Sequence, residues 1–303
     1  MDVTGTQYEI RGGGHRAVVT GVGAGLRVLS GPEGDLVESF GADERPPMGA
    51  GGVLVPWPNR TAGARFSWRG VEHELEVTEP ARGHAIHGLL RRATWSAVRH
   101  GAAAVTLAAD VPAARGWPQP LRVETTHAVD DTGLTVTHTV TNTGDADCPA
   151  GLGVHPYLRV GDVPVAACVL TVPAGTVVDL DDAAIPTGTH PAGFADDLRG
   201  GLPVDALDLD TPFRLDARHT DGGGGTVGEL RAPDGRATRI WADATCGWVQ
   251  VFTPPSPFGR EGPAVAVEPM TCPPDALNSG TDLAVVAPGE TWTVRWGIAG
   301  SAA

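Results

Sequence analysis

Residues 133–142 read GLTVTHTVTN. Leu134, Val136, His138 and Val140 fall on one side of an extended chain, with threonines between them. Successive side chains of a strand point to opposite faces. A period of two over this length therefore predicts a half-buried antiparallel strand. The pattern returns in VEHELEV (71–77), where Val71, Leu75 and Val77 oppose three glutamates. Further strand-like runs are RAVVTG (16–21), GLRVLS (25–30), AAVTLAAD (103–110), TRIWAD (238–243), GWVQVFT (247–253) and WTVRWGI (292–298). Turn signals separate such runs: GPEGD (31–35), DDTG (130–133), NTGD (142–145), APDGR (232–236) and APGE (287–290).

Helical signal is weak. The short candidates are DDAAI (181–185) and ADDLRG (195–200). DGGGGTV (221–227) reads as a flexible surface turn, without the lysine and following helix of a phosphate loop. Residues 1–45 suggest strands and little else. No internal repeat and no linker divides the 303 residues. The expected fold is all-β: one large antiparallel β-sandwich, a single domain over 1–303 with few short helices.

Composition agrees. Glycine (42) and proline (26) are abundant, which favours turns over helix interiors. Apolar residues make up 41%, enough for a sizeable core. All 22 basic residues are arginine, and the net charge is −14. That charge, with no arginine run interleaved with aromatics, argues against nucleic-acid and anionic-membrane partners. The start MDVTGTQYEI lacks the basic and apolar regions of a secretory signal. No run approaches the roughly 20 apolar residues of a membrane helix, so a soluble, cytoplasmic protein is expected. Cys148, Cys168, Cys246 and Cys272 lie far apart and read as reduced core thiols.

Two residues stand out for chemistry. In AVAVEP (264–269), Ala264, Ala266 and Glu268 share one face while Val265 and Val267 take the other. The valines would pack the core, and the alanines would leave space beside the carboxylate. Pro269 cannot donate to a ladder, so the strand is expected to end there. In GLGVHPY (151–157), His155 likewise precedes a proline, and Tyr157 follows. Either residue alone also fits an ordinary strand-end or turn role.

Other segments could line a site. PWPNRTAGARF (56–66) is a loop in which Asn59 and Arg60 offer donors and Trp57 an apolar plane. GHAIHGLLRRATW (83–95) holds His84 and His87. On a strand that spacing splits the two across faces, so zinc is not expected, and one histidine donating to a ligand fits better. Asp210 in DLDTPF (208–213) precedes a turn, and Gln250 lies mid-strand between Trp248 and Phe252. The Pro-rich loop MTCPPDALNSG (270–280) is a plausible pocket wall beside Glu268.

Together PWPNR, HAIHGL, GVHPY, LDTPF, WVQVFTP and VEPMTCPPDALNSG resemble, in order and approximate spacing, the aldose 1-epimerases, the galactose mutarotase-like proteins. The resemblance implies a β-supersandwich with a sugar cleft on the concave face of one sheet. It implies interconversion of the α- and β-anomers of an aldose. Glu268 would be the general base and His155 the general acid. Asn59, Arg60, His87, Asp210 and Gln250 would position a monosaccharide. Ring opening needs a proton removed from the anomeric hydroxyl and one delivered to the ring oxygen, so no metal or other cofactor is expected. The mechanism calls for an ionised Glu268 and a protonated His155. Three alternatives stay open. A hexose-6-phosphate 1-epimerase could use Arg82, Arg91 and Arg92. A carbohydrate-binding module could stack sugar on Trp57, Trp248 and Phe252. A glycosidase would pair Asp210 with Glu268. The sugar and the oligomeric state are not readable.

Overall fold

The computed structural model describes residues 3–114, 116–217 and 224–303. Two large antiparallel sheets face each other. One has nine strands, in the order Ser96–His100, Ala104–Val111, Leu121–Asp130, Gly133–Asn142, Thr291–Ser301, Ala237–Ala242, Gly225–Arg231, Val169–Thr171 and Leu202–Pro203. The other has eight, including Thr176–Leu180, Asp210–Arg214, Trp248–Phe252, Val265–Met270, Gly153–Val154 and Tyr157–Leu158. A four-stranded N-terminal sheet (Gln7–Gly12, His15–Thr20, Leu26–Gly31, Gly34–Asp35) packs on Leu121–Asn142. The antiparallel β-sandwich expected from the alternating runs is the observed architecture.

The alternation of GLTVTHTVTN is realised as burial. Leu134, Val136, His138 and Val140 are all buried, and the threonines between them are half-buried. Between the two large sheets, Val249, Val251, Val265 and Val267 meet Val227, Leu230 and Ile240 in one apolar cluster. Gly228 sets the closeness of that contact: a Cβ there would lie 2.8 Å from Val267 Cγ1. All four cysteines are buried thiols.

Some expectations need correction. Val71 and Val77 are exposed, and only Leu75 of that run is buried. Arg65–Trp68 and Val71–Glu74 pair as a ribbon outside the large sheets, so Phe66 and Leu75 are buried in the core and Trp68 packs against it while the valines face out. Residues 181–185 form a turn rather than a helix, because Asp181 Oδ1 accepts from the backbone N–H groups of Ala183 and Ile185. Leu198–Gly200 is one 3-10 turn. The loop 270–280 contains a short α-helix, Ala276–Ser279. Of the glycine-rich stretch, residues 221–223 lie outside the described residues, and Gly225 already begins a strand.

The strand carrying Glu268 does not stop before Pro269 but runs to Met270. Val267 and Thr271 donate to Pro156 O and Leu152 O, so the missing N–H of Pro269 falls on that same side. There the partner strand is itself broken at His155–Pro156, and no ladder bond is forfeited.

Candidate functional site

Strand register brings the two leading residues together. Gly153 pairs with Met270 and Tyr157 with Ala266, which sets His155 opposite Glu268. On its other side Glu268 pairs with Gln250, which pairs with Pro212. Opposite residues in an antiparallel pair share a face, so Glu268, Gln250 and His155 form one row across the sheet. The parity of 264–268, valines on the core face and alanines on the face of Glu268, is as expected. Val265 and Val267 join the main core, and Ala264 and Ala266 pack with Tyr157 on the other face.

His155 Nε2 lies 3.3 Å from Glu268 Oε1, and both side chains are almost wholly buried, at 5% and 2% exposure. The imidazole is held from three sides. Tyr157 stacks on it with ring centroids 5.2 Å apart, and His87 meets it edge-on at 5.7 Å. Gly49 backs it: a Cβ at Gly49 would sit 3.2 Å from His155 Cδ2. The backbone is tied by His155 N to Gly52 O and by Gly51 N to His155 O. Glu268 Oε2 is buried with no protein hydrogen bond among the described residues.

Burial acts on this pair in opposite directions. It pushes the Glu268 carboxyl well above the usual range, and Asp210 adds to the rise. It pushes the His155 imidazole down to about 3. Burial thus disfavours the charged form of each group. The ionised base and protonated acid expected from sequence belong to the working form, in which both charges need polar partners to offset this desolvation.

A cavity of about 380 Å3 opens over the pair, lined by Asn59, Arg60, His87, Asp210, Gln250, Phe252, Arg82, Arg91, Met48 and Ile86. That volume falls in the range of small-ligand pockets. All seven residues singled out in the sequence for the site therefore line one cavity. They are wired together. Asn59 Nδ2 donates to Gln250 Oε1 at 3.1 Å, and Gln250 Nε2 donates to Asp210 Oδ1 at 2.7 Å. Arg60 forks onto Glu79 through Nε and Nη2, at 2.8 and 3.1 Å. Its Nη2 also lies 4.0 Å from Asp210 Oδ2.

His87 sits at φ 63°, next to Gly88 at φ 69°. A Cβ on Gly88 would lie 2.1 Å from Val55 O, so only glycine permits this bend. Backbone N–H of Asn59 donates to His87 Nδ1 at 3.2 Å. Neutral His87 therefore carries its proton on Nε2, ready to donate to a ligand. Burial and the neighbouring His155 hold it well below the ordinary histidine value. His84 turns away, accepting from Gly63 N and meeting Ala183 O.

The aromatic candidates divide. Phe252 lines the cavity, but Trp57 is buried and stacks on Trp117, 5.5 Å away. Trp248 is buried with Val178 and Met270, its indole N–H bonded to Asp282. The 270–280 loop does not line the cavity. It buttresses from behind, with Asp275 N donating to Arg60 O and Asp275 Oδ1 accepting from Ala62 N. Sequence reading missed Glu79, Met48 and Gly49. The turn EPARGH (79–84), with an acid three residues before Arg82, carried the signal for Glu79.

Comparison with known proteins gives a consistent picture. Residues 6–299 match the family described as aldose 1-epimerase. The Escherichia coli K12 protein YihR is 32% identical over 309 residues, covering 99% of this chain and 95% of that one. A galactose mutarotase-like protein of Clostridium acetobutylicum superposes with TM-score 0.85 at 16% identity, over 97% of this chain and 95% of that one. A GalM/aldose epimerase homologue from C. elegans gives 0.84 at 20% identity, over 98% of each. At those identities the two structures speak for the fold.

Proposed function

The chain belongs to the aldose 1-epimerase family, and we propose that it is a mutarotase, an isomerase that interconverts the α- and β-anomers of an aldose. The observation that carries this reading is the His155–Glu268 contact at 3.3 Å on the floor of a polar cavity. We also read the described chain as one domain, since a single apolar cluster runs from Ile10 to Ile298.

The chemistry follows from the pair. Together His155 and Glu268 hold one transferable proton. When a sugar enters, its hydroxyl and ring oxygens supply polar partners that the buried pair lacks. That offsets desolvation and favours the charged form, carboxylate beside imidazolium. Glu268 then removes the proton from the anomeric hydroxyl while His155 delivers one to the ring oxygen. The ring C–O bond breaks and a carbonyl forms. The aldehyde turns about its bond to the neighbouring carbon and recloses on the other face, with the two proton transfers reversed. The pair returns to its starting state.

Around the reacting centre, His87 Nε2–H and the remaining Arg60 and Asn59 donors are available to sugar oxygens, and Asp210 is available as an acceptor. Gln250 has its amide committed to Asn59 and Asp210, so its part is to hold those two in place. Orientation of this kind contributes through lost freedom that the enzyme has already taken up. The test is polarimetry on freshly dissolved α-anomers of several aldoses. The purified protein should speed the decay of optical rotation in proportion to its concentration. Unchanged decay across the panel would remove the proposal.

A further inference from the structure

A second chamber adjoins the first. It encloses about 500 Å3 and is lined by Arg45, Arg91 and Arg92 together with Thr4, Thr20, Met48 and several glycines. Met48 and Arg91 line both chambers. No acidic residue is among the second chamber's lining residues, whereas Asp210 and Glu268 line the first.

Three guanidinium groups line this part of the chain. Its net charge is −14, and elsewhere arginines such as Arg60, Arg82, Arg159 and Arg236 sit against carboxylates. Among the described residues, the side chains of Arg45, Arg91 and Arg92 make no ion pair or hydrogen bond. Arg45 and Arg92 are exposed, so water serves them. Arg91 is half-buried at the junction of the two chambers; burial, with Arg92 beside it, lowers its pKa to about 10, against a smaller opposing pull from the Glu79 carboxylate. A half-buried guanidinium with no carboxylate in direct contact gains from an anion that reaches it.

The mount is rigid. A Cβ on Gly23 would lie 2.5 Å from Arg91 O. Val22 bridges to Thr94, Trp95 N donates to Gly21 O, and the buried Trp95 indole closes the turn on Leu90 O at 3.2 Å. The turn therefore presents Arg91 and Arg92 from a fixed backbone. A cleft lined by charges of one sign concentrates ligands of the other, and arginine suits oxyanions because its donors form a planar fork.

We infer that the substrate of this mutarotase is an aldose carrying an anionic substituent away from its anomeric carbon, seated on Arg91 with Arg92 and Arg45 beyond it. The inference rests on the mutarotase reading above and names the substrate class for that site. The anomeric carbon would lie at His155 and Glu268, and the acidic arm would cross the wall at Met48.

The test is magnetisation exchange between anomeric protons, with glucose, glucose 6-phosphate and glucuronate as probes and the uncatalysed exchange subtracted. At low salt, kcat/KM for at least one acidic sugar should exceed that for glucose tenfold or more. Salt at 0.5 M should erase most of that margin. Arg91→Met, and separately the double variant Arg45→Gln with Arg92→Gln, should each lower the acidic-to-neutral ratio several-fold or more. Preference for the phosphate or for the carboxylate sugar identifies which acid the chamber takes. Equal turnover of all three sugars, or a ratio unmoved in both variants, overturns the inference and leaves the mutarotase reading standing. Faster glucose turnover on adding inorganic phosphate also overturns it, since the chamber would then hold a separate anion. If no sugar is turned over, the mutarotase reading fails. Calorimetric binding of glucose 6-phosphate that disappears in Arg91→Met would still support the chamber's ligand, and no binding would overturn it.

Discussion

Gln250→Leu tests how the cavity wall is built. Gln250 is 2% exposed and joins two half-networks, accepting from Asn59 at 3.1 Å and donating to Asp210 at 2.7 Å. Leucine keeps most of the volume and removes both bonds. Asn59 is 4% exposed, so its amide loses a partner where water does not replace it. Leaving a buried donor unmade costs about 1–3 kcal/mol. Asp210 is about half-exposed, so its carboxylate regains water and adds little. The expected loss of about 2 kcal/mol corresponds to a fall in Tm of about 3 °C for a chain of this size. Catalysis should suffer more than stability, because Asn59 and Asp210 both lose their fixed positions. A drop in kcat/KM of about 10–100-fold is expected from imprecise orientation alone. Thermal unfolding and polarimetry on the same preparation read both quantities. Gln250→Glu sharpens the comparison, since it keeps an acceptor for Asn59 but sets a carboxylate against Asp210 and Glu268. If Gln250→Leu keeps Tm and kcat/KM within error of the parent, the wired-wall reasoning is refuted.

Other consequences can be checked together. Gly49→Ala puts a methyl 3.2 Å from His155 Cδ2 at a backbone φ of 83°, so kcat should fall at least about tenfold while far-ultraviolet dichroism stays the same. Glu79→Gln weakens the charged fork that fixes Arg60, and KM in a sugar titration should rise more than kcat falls. Because burial raises Glu268 and lowers His155, kcat/KM should hold through the ordinary carboxyl range and fall on the alkaline side, where the pair gives up its shared proton. A steep loss centred near pH 4.5 in protein that remains folded would contradict that. Stability should fall in acid: His127 and His138 are buried with pKa values of about 3, against 6.5 when exposed. The unfolded chain binds their protons first, so stability is full above about 6.5 and declines as pH falls towards 3. At pH 5 the two together cost about 4 kcal/mol. Urea midpoints at pH 7 and 5 measure this, and His138→Gln should shrink the difference.

The sequence made the sheet legible wherever one face was buried and the other wet. GLTVTHTVTN and AVAVEP reveal their facing because side-chain parity is fixed once a strand forms. The facing of Glu268 was legible for the same reason, but its role and that of His155 were suggested by the family resemblance, and the register that opposes them comes from the pairs at Gly153 and Tyr157. Loops gave less. Nothing in PWPNR says that Trp57 turns inward onto Trp117 while Asn59 and Arg60 turn to the cavity, since loop side chains follow no fixed period. His87 owes its place to a left-handed backbone beside Gly88, a geometry that non-glycine residues rarely signal. Met48 and Gly49 act through contacts distant in sequence, which local patterns do not encode, and the turn that signals Glu79 does not show that it reaches Arg60.

The central claim is that two side chains share the proton transfers. Its most direct measurement is anomeric exchange in Glu268→Gln, His155→Asn and the double variant, each first verified as folded. Each single change should lower kcat by about 10²–10⁴-fold, and the double variant should be little worse than the slower single one. Exchange within a few-fold of the parent in either single variant would contradict the account.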